Sequence, residues 1–164
     1  MILLLYGLPC AGKTTLAKAH ADDVGAIHLD GDIFRAAFGN DLGFDAEARD
    51  ENLRRAGSFA KLLNEQDFDV VCSFVAPTIA ARAVFRRACG GECLEVLLDT
   101  PLCTCIDRDT KGMYAKAFQG IIPDFTGVHN FIETEDKHLR IFFDLIENQQ
   151  EKLWKLWTNN GEKK

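Results

Sequence analysis

The chain has no stretch of apolar residues long enough to cross a membrane. Its first apolar run, Ile2 to Leu5, is also far too short for a secretory signal and has no basic residues before it. Positive charge is in deficit, with 19 Lys and Arg against 25 Asp and Glu, a formal net charge of −6. That balance argues against a general nucleic-acid or membrane-surface binder, so any site for an anionic small molecule must be locally basic. Paired Cys-x-x-Cys motifs are missing as well. The six cysteines include Cys89-x3-Cys93 and Cys103-x-Cys105, but neither spacing comes with the partners of a zinc site. Cys72 lies in an apolar run, where a thiol acts as a small core residue. Reduced, unligated cysteines and a cytoplasmic setting are expected. Internal repeats and Pro/Gly/Ser-rich linkers are absent too, and 164 residues suit one domain with a real core.

What is present is a set of short apolar runs alternating with helical patterns. "ILLLY" ends in glycine and reads as a buried strand, followed by a helix from Lys13 to Ala21. "AIHLD" is a second strand ending at Asp30. Leu53, Ala56, Phe59, Ala60 and Leu63 then recur at helical spacing within Ala46 to Leu63. "FDVVCSFV" (Phe68 to Val75) and "CLEVLLD" (Cys93 to Asp99) are further strands, the first followed by a helix from about Pro77 to Ala88. "HLRIFF" (His138 to Phe143) is a fifth, with a helix running to about Trp157. Continuous apolar strands alternating with helices imply an α/β fold, a parallel sheet covered on both faces. Ligands of such sheets bind beyond the carboxyl ends of the strands.

Gly7-x4-Gly12-Lys13-Thr14 lies between the first strand and the first helix, the context the phosphate-loop pattern requires. Its glycines let Gly7, Leu8, Pro9, Cys10, Ala11 and Gly12 turn tightly enough to aim N–H groups at phosphate oxygens. The helix N-terminus at Lys13, Thr14 and Thr15 adds its positive dipole end. Lys13 can reach the β- and γ-phosphates, and the Thr14 hydroxyl can coordinate Mg²⁺. ATP is the expected nucleotide. A helix N-terminus also lowers a thiol pKa, which bears on Cys10 inside the loop.

Asp30 and Asp32 follow the second strand, one residue apart. Extended geometry would put both on one side, with Gly31 permitting close approach of backbone or ligand. Either carboxylate can accept a proton from an attacking hydroxyl or hold Mg²⁺ through water; a turn or helix cap is the structural alternative. Arg35, Arg49, Arg54 and Arg55 are suited to anions by their planar forks. For Arg54 and Arg55 the alternative is a solvated helix face with i,i+4 pairs, Asp50 with Arg54 and Glu51 with Arg55.

From these residues onward the chain resembles the adenylylsulfate (APS) kinase family. "LDGDIFR", "DLGFDAEARDENLRR", "VVCSFVAP", "PLCTCIDRDTKGMYAKA" and "FTG" match that family's motifs in order, over roughly residues 2 to 127. The resemblance implies a three-layer P-loop kinase with a five-stranded parallel sheet, one domain over 1–164 and a mobile lid at approximately 107–135. It implies a homodimer that transfers phosphate from MgATP to the 3′-hydroxyl of APS, giving 3′-phosphoadenylylsulfate (PAPS) and ADP. By position, Asp30 and Asp32 match the acidic pair near the reacting hydroxyl and Mg²⁺. Arg35, Arg49 and Asn52 match groups that hold the anionic part and ribose of APS. Phe44 and Phe125 match the aromatic pair around its adenine, although either ring could instead be core packing. Val75 matches a main-chain contact, Lys111 a lid cation near the phosphates, and Arg108 the lid arginine close to the adenine of ATP.

Two departures stand out. Many members carry Ile-Ser-Pro where this chain has Val75-Ala76-Pro77, and Ala76 cannot form the phosphoserine proposed for that serine. After "FTG" the family usually continues with Pro-Tyr-Glu-x-Pro, where this chain reads Val128-His129-Asn130-Phe131-Ile132-Glu133-Thr134-Glu135, keeping Glu133 but not the tyrosine or either proline. His129 in this stretch reads as a solvated loop residue, with a catalytic base as the alternative. The altered segment keeps two other readings open. One is a related kinase acting on another nucleotide-linked anion, such as a cytidine diphosphoramidate-like acceptor; the other is a nucleotide-binding regulator without catalysis.

Overall fold

A computed structural model describes residues 1–43, 45–135, 139–142 and 146–161. Strands β1 (Ile2–Tyr6), β2 (Ile27–Asp30), β3 (Val70–Phe74), β4 (Leu94–Asp99) and β5 (Leu139–Phe142) form one all-parallel sheet in the order β2-β3-β1-β4-β5. Central β1 is buried along its whole length, which explains its unbroken apolar sequence. Its side chains alternate between two cores. Ile2, Leu4 and Tyr6 join Val70, Cys72 and Phe74 on one face, whereas Leu3 and Leu5 join Val71, Val96 and Leu98 on the other.

The first face is covered by α3 (Ala46–Asn64) and α4 (Ile79–Ala88), through Leu53, Ala56, Ala60, Ala81 and Phe85. At their crossing Gly57 lies so close that a Cβ would sit 2.7 Å from the Phe85 carbonyl oxygen, so only glycine permits this approach. The second face is covered by α1 (Lys13–Val24) and α7 (Ile146–Gly161), through Leu16, Ala17, Ala21, Leu153 and Trp157. The three layers and the five parallel strands agree with the sequence expectation. The first helix runs one turn further, to Val24, and ends on Gly25 at φ 69°. His138 and Phe143, the expected ends of the last strand, lie outside the described residues. All six cysteines are free thiols.

The sequence reading passed over α2 (Gly31–Phe38), α5 (Leu102–Asp107) and α6 (Met113–Phe118). The first of these overturns the extended geometry expected for Asp-Gly-Asp. Asp30 is the N-cap, its Oδ1 accepting from the amides of Asp32 and Ile33 at 3.0 and 3.1 Å, and Asp32 already belongs to the helix. Gly31 serves backbone approach, since a Cβ there would fall 2.9 Å from the Ser73 carbonyl oxygen. The expected Asp50–Arg54 pair is also replaced. Glu51 takes both Arg54 and Arg55, at 2.6 and 2.9 Å, and Arg55 reaches on to Asp41 and the Phe38 carbonyl. Arg55 therefore ties the α2–α3 connection to α3.

His20 of α1 is 1% exposed, with Trp157 and Trp154 of α7 edge-on to its ring at 5.1 and 6.4 Å. Neither ring nitrogen has a partner among the described residues. Burial lowers its pKa below 6.5, with Asp23 opposing, and burial lowers that of His28 in the same direction. A histidine that resists protonation when folded binds more protons unfolded. Its contribution is thus complete above pH 6.5 and is lost as pH falls from 6.5 towards the folded pKa. Urea midpoints are expected to drop between pH 7 and pH 5, and His20→Phe to flatten that drop; equal slopes for the two proteins would refute the assignment.

Candidate functional site

The carboxyl ends of β1, β2 and β3 converge on the loop between β1 and α1. Gly7 has φ 153°, and a Cβ there would lie 2.6 Å from the Leu98 carbonyl oxygen. Gly12 has φ 98°, and Cys10 adopts φ 61°, a left-handed conformation uncommon outside glycine. The loop is braced from outside. Thr100 Oγ1 donates to the Ala11 carbonyl at 2.9 Å, the Tyr114 hydroxyl to that of Pro9 at 3.0 Å, and Gly7 N–H to that of Val75 at 3.4 Å.

Lys13 points inwards, its Nζ donating to the Leu8 carbonyl at 2.6 Å. Burial lowers its pKa to about 8, against the pull of Cys105, Cys10, Asp32 and Asp30. Cys10 departs from the expectation for a helix N-terminus. Burial and the nearby Asp109 carboxylate push its thiol up, so it stays protonated.

A cavity of about 440 Å³ opens beside the loop, lined by Cys10, Gly12, Lys13, Thr14, Thr15, Arg108 and Gln149. At its mouth the Thr14 hydroxyl donates to Asp30 Oδ2 at 2.6 Å, and Ser73 Oγ donates to the same oxygen at 3.3 Å. Partial burial raises the Asp30 pKa, but the hydrogen bonds from Thr14, Ile33 and Asp32 outweigh it and hold the carboxyl below its usual value. Asp32 is different. Its side chain is 86% exposed and bridges to Lys111 Nζ at 3.1 Å. Lys111, Asp32, Asp30 and Thr14 therefore form a continuous polar chain at the cavity mouth.

The residues expected to hold an acceptor surround the neighbouring surface, and several are engaged with backbone. Arg35 donates to the carbonyls of Leu42 and Gly43. Arg49 Nη1 donates to the Asp124 carbonyl at 2.9 Å, next to Phe125. Asn52 is buried, and its Oδ1 has no partner among the described residues. Phe125 is half-buried, edge-on to Tyr114 at 5.0 Å, so part of its surface is packing. Phe44 lies outside the described residues. His129 is exposed, and its Nδ1 accepts from the Phe125 amide at 3.1 Å, a local turn contact.

Sequence reasoning missed Thr100, Tyr114, Asp109 and Gln149. None belongs to a short motif around the loop, and only the fold brings them to it. Asp109 Oδ2 accepts from the Tyr114 amide at 2.7 Å, which fixes α6 against the loop. Arg82 was missed as well. Its guanidinium joins the turn after β3 to the carbonyl of Glu133, within the segment that departs from the family pattern.

A phosphate loop between a central parallel strand and its helix, in a sheet of this order, defines a P-loop kinase fold. The chain belongs to the adenylylsulphate kinase family, whose model matches residues 1–140. It is 42% identical over 163 residues to an adenylyl-sulfate kinase of Halothermothrix orenii, covering 94% of this chain and 88% of that one. It is also 42% identical over 141 residues to the bifunctional enzyme NodQ of Rhizobium tropici, matching 82% of this chain but 22% of that protein. Among solved structures it is similar to an APS kinase of Mycobacterium tuberculosis in complex with AMPPNP and APS. The TM-score is 0.88 and the identity 33%, over 96% of each chain.

Proposed function

We propose that this chain transfers the γ-phosphoryl group of ATP to the 3′-hydroxyl of APS, giving PAPS and ADP. The observation that carries the reading is the polar chain Thr14–Asp30–Asp32–Lys111 at the mouth of a phosphate-loop cavity, in a member of the adenylylsulphate kinase family.

In this reading Gly7 to Thr15 cradle the phosphates, and Lys13 exchanges the Leu8 carbonyl for phosphate oxygens. A hard divalent cation fits the donor set, because the Thr14 hydroxyl and the ionised Asp30 carboxylate stand 2.6 Å apart at the cavity mouth. When bound, Mg²⁺ neutralises charge on the β- and γ-phosphates. Asp30 is already committed to the α2 cap and to Thr14, so Asp32 is the carboxylate available to accept the hydroxyl proton. The 3′-oxygen forms its bond to phosphorus as the bond to the bridging β–γ oxygen breaks, and ADP leaves. Lys111 moves from Asp32 towards the transferred group. Arg108 lies at the ATP base, and Arg35, Arg49, Asn52, Val75, Phe44 and Phe125 form the APS side. A lid over roughly 107–135, a homodimer and a cytoplasmic setting belong to the same reading. Among the described residues no helix is long and apolar enough to cross a membrane.

Incubation with MgATP and micromolar APS should yield PAPS and ADP in equal amounts. Asp32→Asn is expected to lower kcat by about 10²–10⁴-fold, the usual scale for a general base, with ATP affinity almost unchanged. A folded wild-type protein that forms no PAPS would overturn the reading. Asp32→Asn with wild-type kcat would remove the role assigned to Asp32.

A further inference from the structure

The cavity beside the phosphate loop is lined from more than one part of the chain. Gly12, Lys13, Thr14 and Thr15 come from the phosphate loop and the helix it opens, while Arg108 and Gln149 come from distant segments. Gln149 is on α7 and is 6% exposed, yet it lines the cavity. Its Nε2 donates to the carbonyl oxygen of Phe142 at the end of β5, at 3.3 Å. A carbonyl oxygen only accepts, so this contact fixes which end of the amide is nitrogen. The Oε1 makes no hydrogen bond to the described residues and is not one of their enclosed unpaired atoms, so it is reachable from the cavity that Gln149 lines. A carboxamide held by a side chain more than nine-tenths buried, with its nitrogen tied and its oxygen open to the cavity, is placed to accept from a ligand donor.

We propose that Gln149 is the base-reading residue of this nucleotide site. Its Oε1 accepts a hydrogen bond from the exocyclic 6-amino group of adenine, and so selects 6-aminopurine nucleotides over 6-oxopurine ones. Hypoxanthine and guanine carry O6 at that position, which would set acceptor against acceptor. The tie to Phe142 prevents the amide from flipping to accommodate O6 without losing its own bond. The nearby planar guanidinium of Arg108 suits the face of either purine and does not discriminate between them. The proposal rests on the nucleotide reading of the loop but not on the identity of the acceptor.

The test uses the full chain without APS, comparing ADP with IDP by calorimetric titration. The two ligands share their phosphates and ribose, so loop contacts cancel in the ratio. Wild type is expected to bind ADP about tenfold more tightly than IDP, the scale for one buried hydrogen bond made or left unmet. Gln149→Met and Gln149→Leu should each bring that ratio close to one, chiefly by weakening ADP. A residue that only held α7 to β5 would weaken both ligands alike and leave the ratio intact. A wild-type ratio near one overturns the proposal without reference to any variant, as does an unchanged ratio in either folded variant. No ADP binding at all overturns it together with the nucleotide reading. ADP selectivity without PAPS formation upholds it and places the failure on the acceptor side.

Discussion

Lys13→Met is expected to reduce phosphoryl transfer by at least 10²–10³-fold, the scale for removing one preorganised donor at developing charge. It should leave the fold intact or more stable. Lys13 is buried, and among the described residues its ammonium donates to the Leu8 carbonyl at 2.6 Å. Burial holds its pKa down at about 8, so the surrounding protein disfavours the charged form. Methionine fills a similar volume without that charge, so the unfolding midpoint should hold or rise while activity collapses. The two quantities part because the lysine is placed for the transition state and not for the resting protein. Steady-state assay with APS and thermal unfolding of the same preparations measure both. Activity within tenfold of wild type would show that other groups carry the γ-phosphate charge.

The sheet and the phosphate loop were legible in the sequence because both rest on local signals. A fully buried parallel strand is apolar at nearly every position, as Ile2 to Tyr6 are and as Val70 to Phe74 are apart from Ser73, whose hydroxyl is paired with Asp30. The loop needs glycine at Gly7 and Gly12, where the backbone is left-handed or lies against a neighbouring carbonyl. The Asp-Gly-Asp stretch was less legible. Its second residue opens a helix of eight residues, too short to show a convincing period, and the cap donors belong to the next two amides. The difference between Asp30 and Asp32 exists only in three dimensions, where Ser73 and Thr14 converge on one carboxylate and Lys111 on the other. Gln149 and Thr100 gave no signal either. Each is a single polar residue in an otherwise ordinary segment, and chain separations of more than 80 residues divide them from the loop they serve.

Arg82→Met is expected to destabilise the protein by about 3–5 kcal/mol, the range for removing one member of a buried charged network. Arg82 is 1% exposed, and its guanidinium lies over the Tyr6 ring at 4.4 Å. It donates to the carbonyls of Ala76, Pro77 and Glu133 at 3.1, 3.2 and 2.8 Å, and Glu95 stands 3.9 Å away. Glu95 keeps a two-pronged pair with Arg86 and the Pro77 carbonyl keeps the Glu133 amide, so the larger loss falls on the Ala76 and Glu133 carbonyls that Arg82 serves. One of them belongs to Ala76, held at φ 39°. The Glu133 end matters for the altered segment. Glu133 N–H donates to the Pro77 carbonyl, and its carboxylate accepts from the Ile79 amide at the start of α4, both at 2.8 Å. Arg82 and Glu133 thus dock Phe131 to Glu135 against the turn after β3 without the tyrosine and prolines of the family pattern. Arg82→Lys should recover less than half of the loss, because one ammonium cannot span three carbonyls that a planar fork reaches together. Urea unfolding of the three proteins reads the effect, and a loss below 1 kcal/mol for Arg82→Met would show that solvent or neighbouring groups re-pair those carbonyls. Activity should fall further than stability alone accounts for in Arg82→Met. The turn it holds ends one residue from Val75, whose carbonyl receives the Gly7 amide of the phosphate loop.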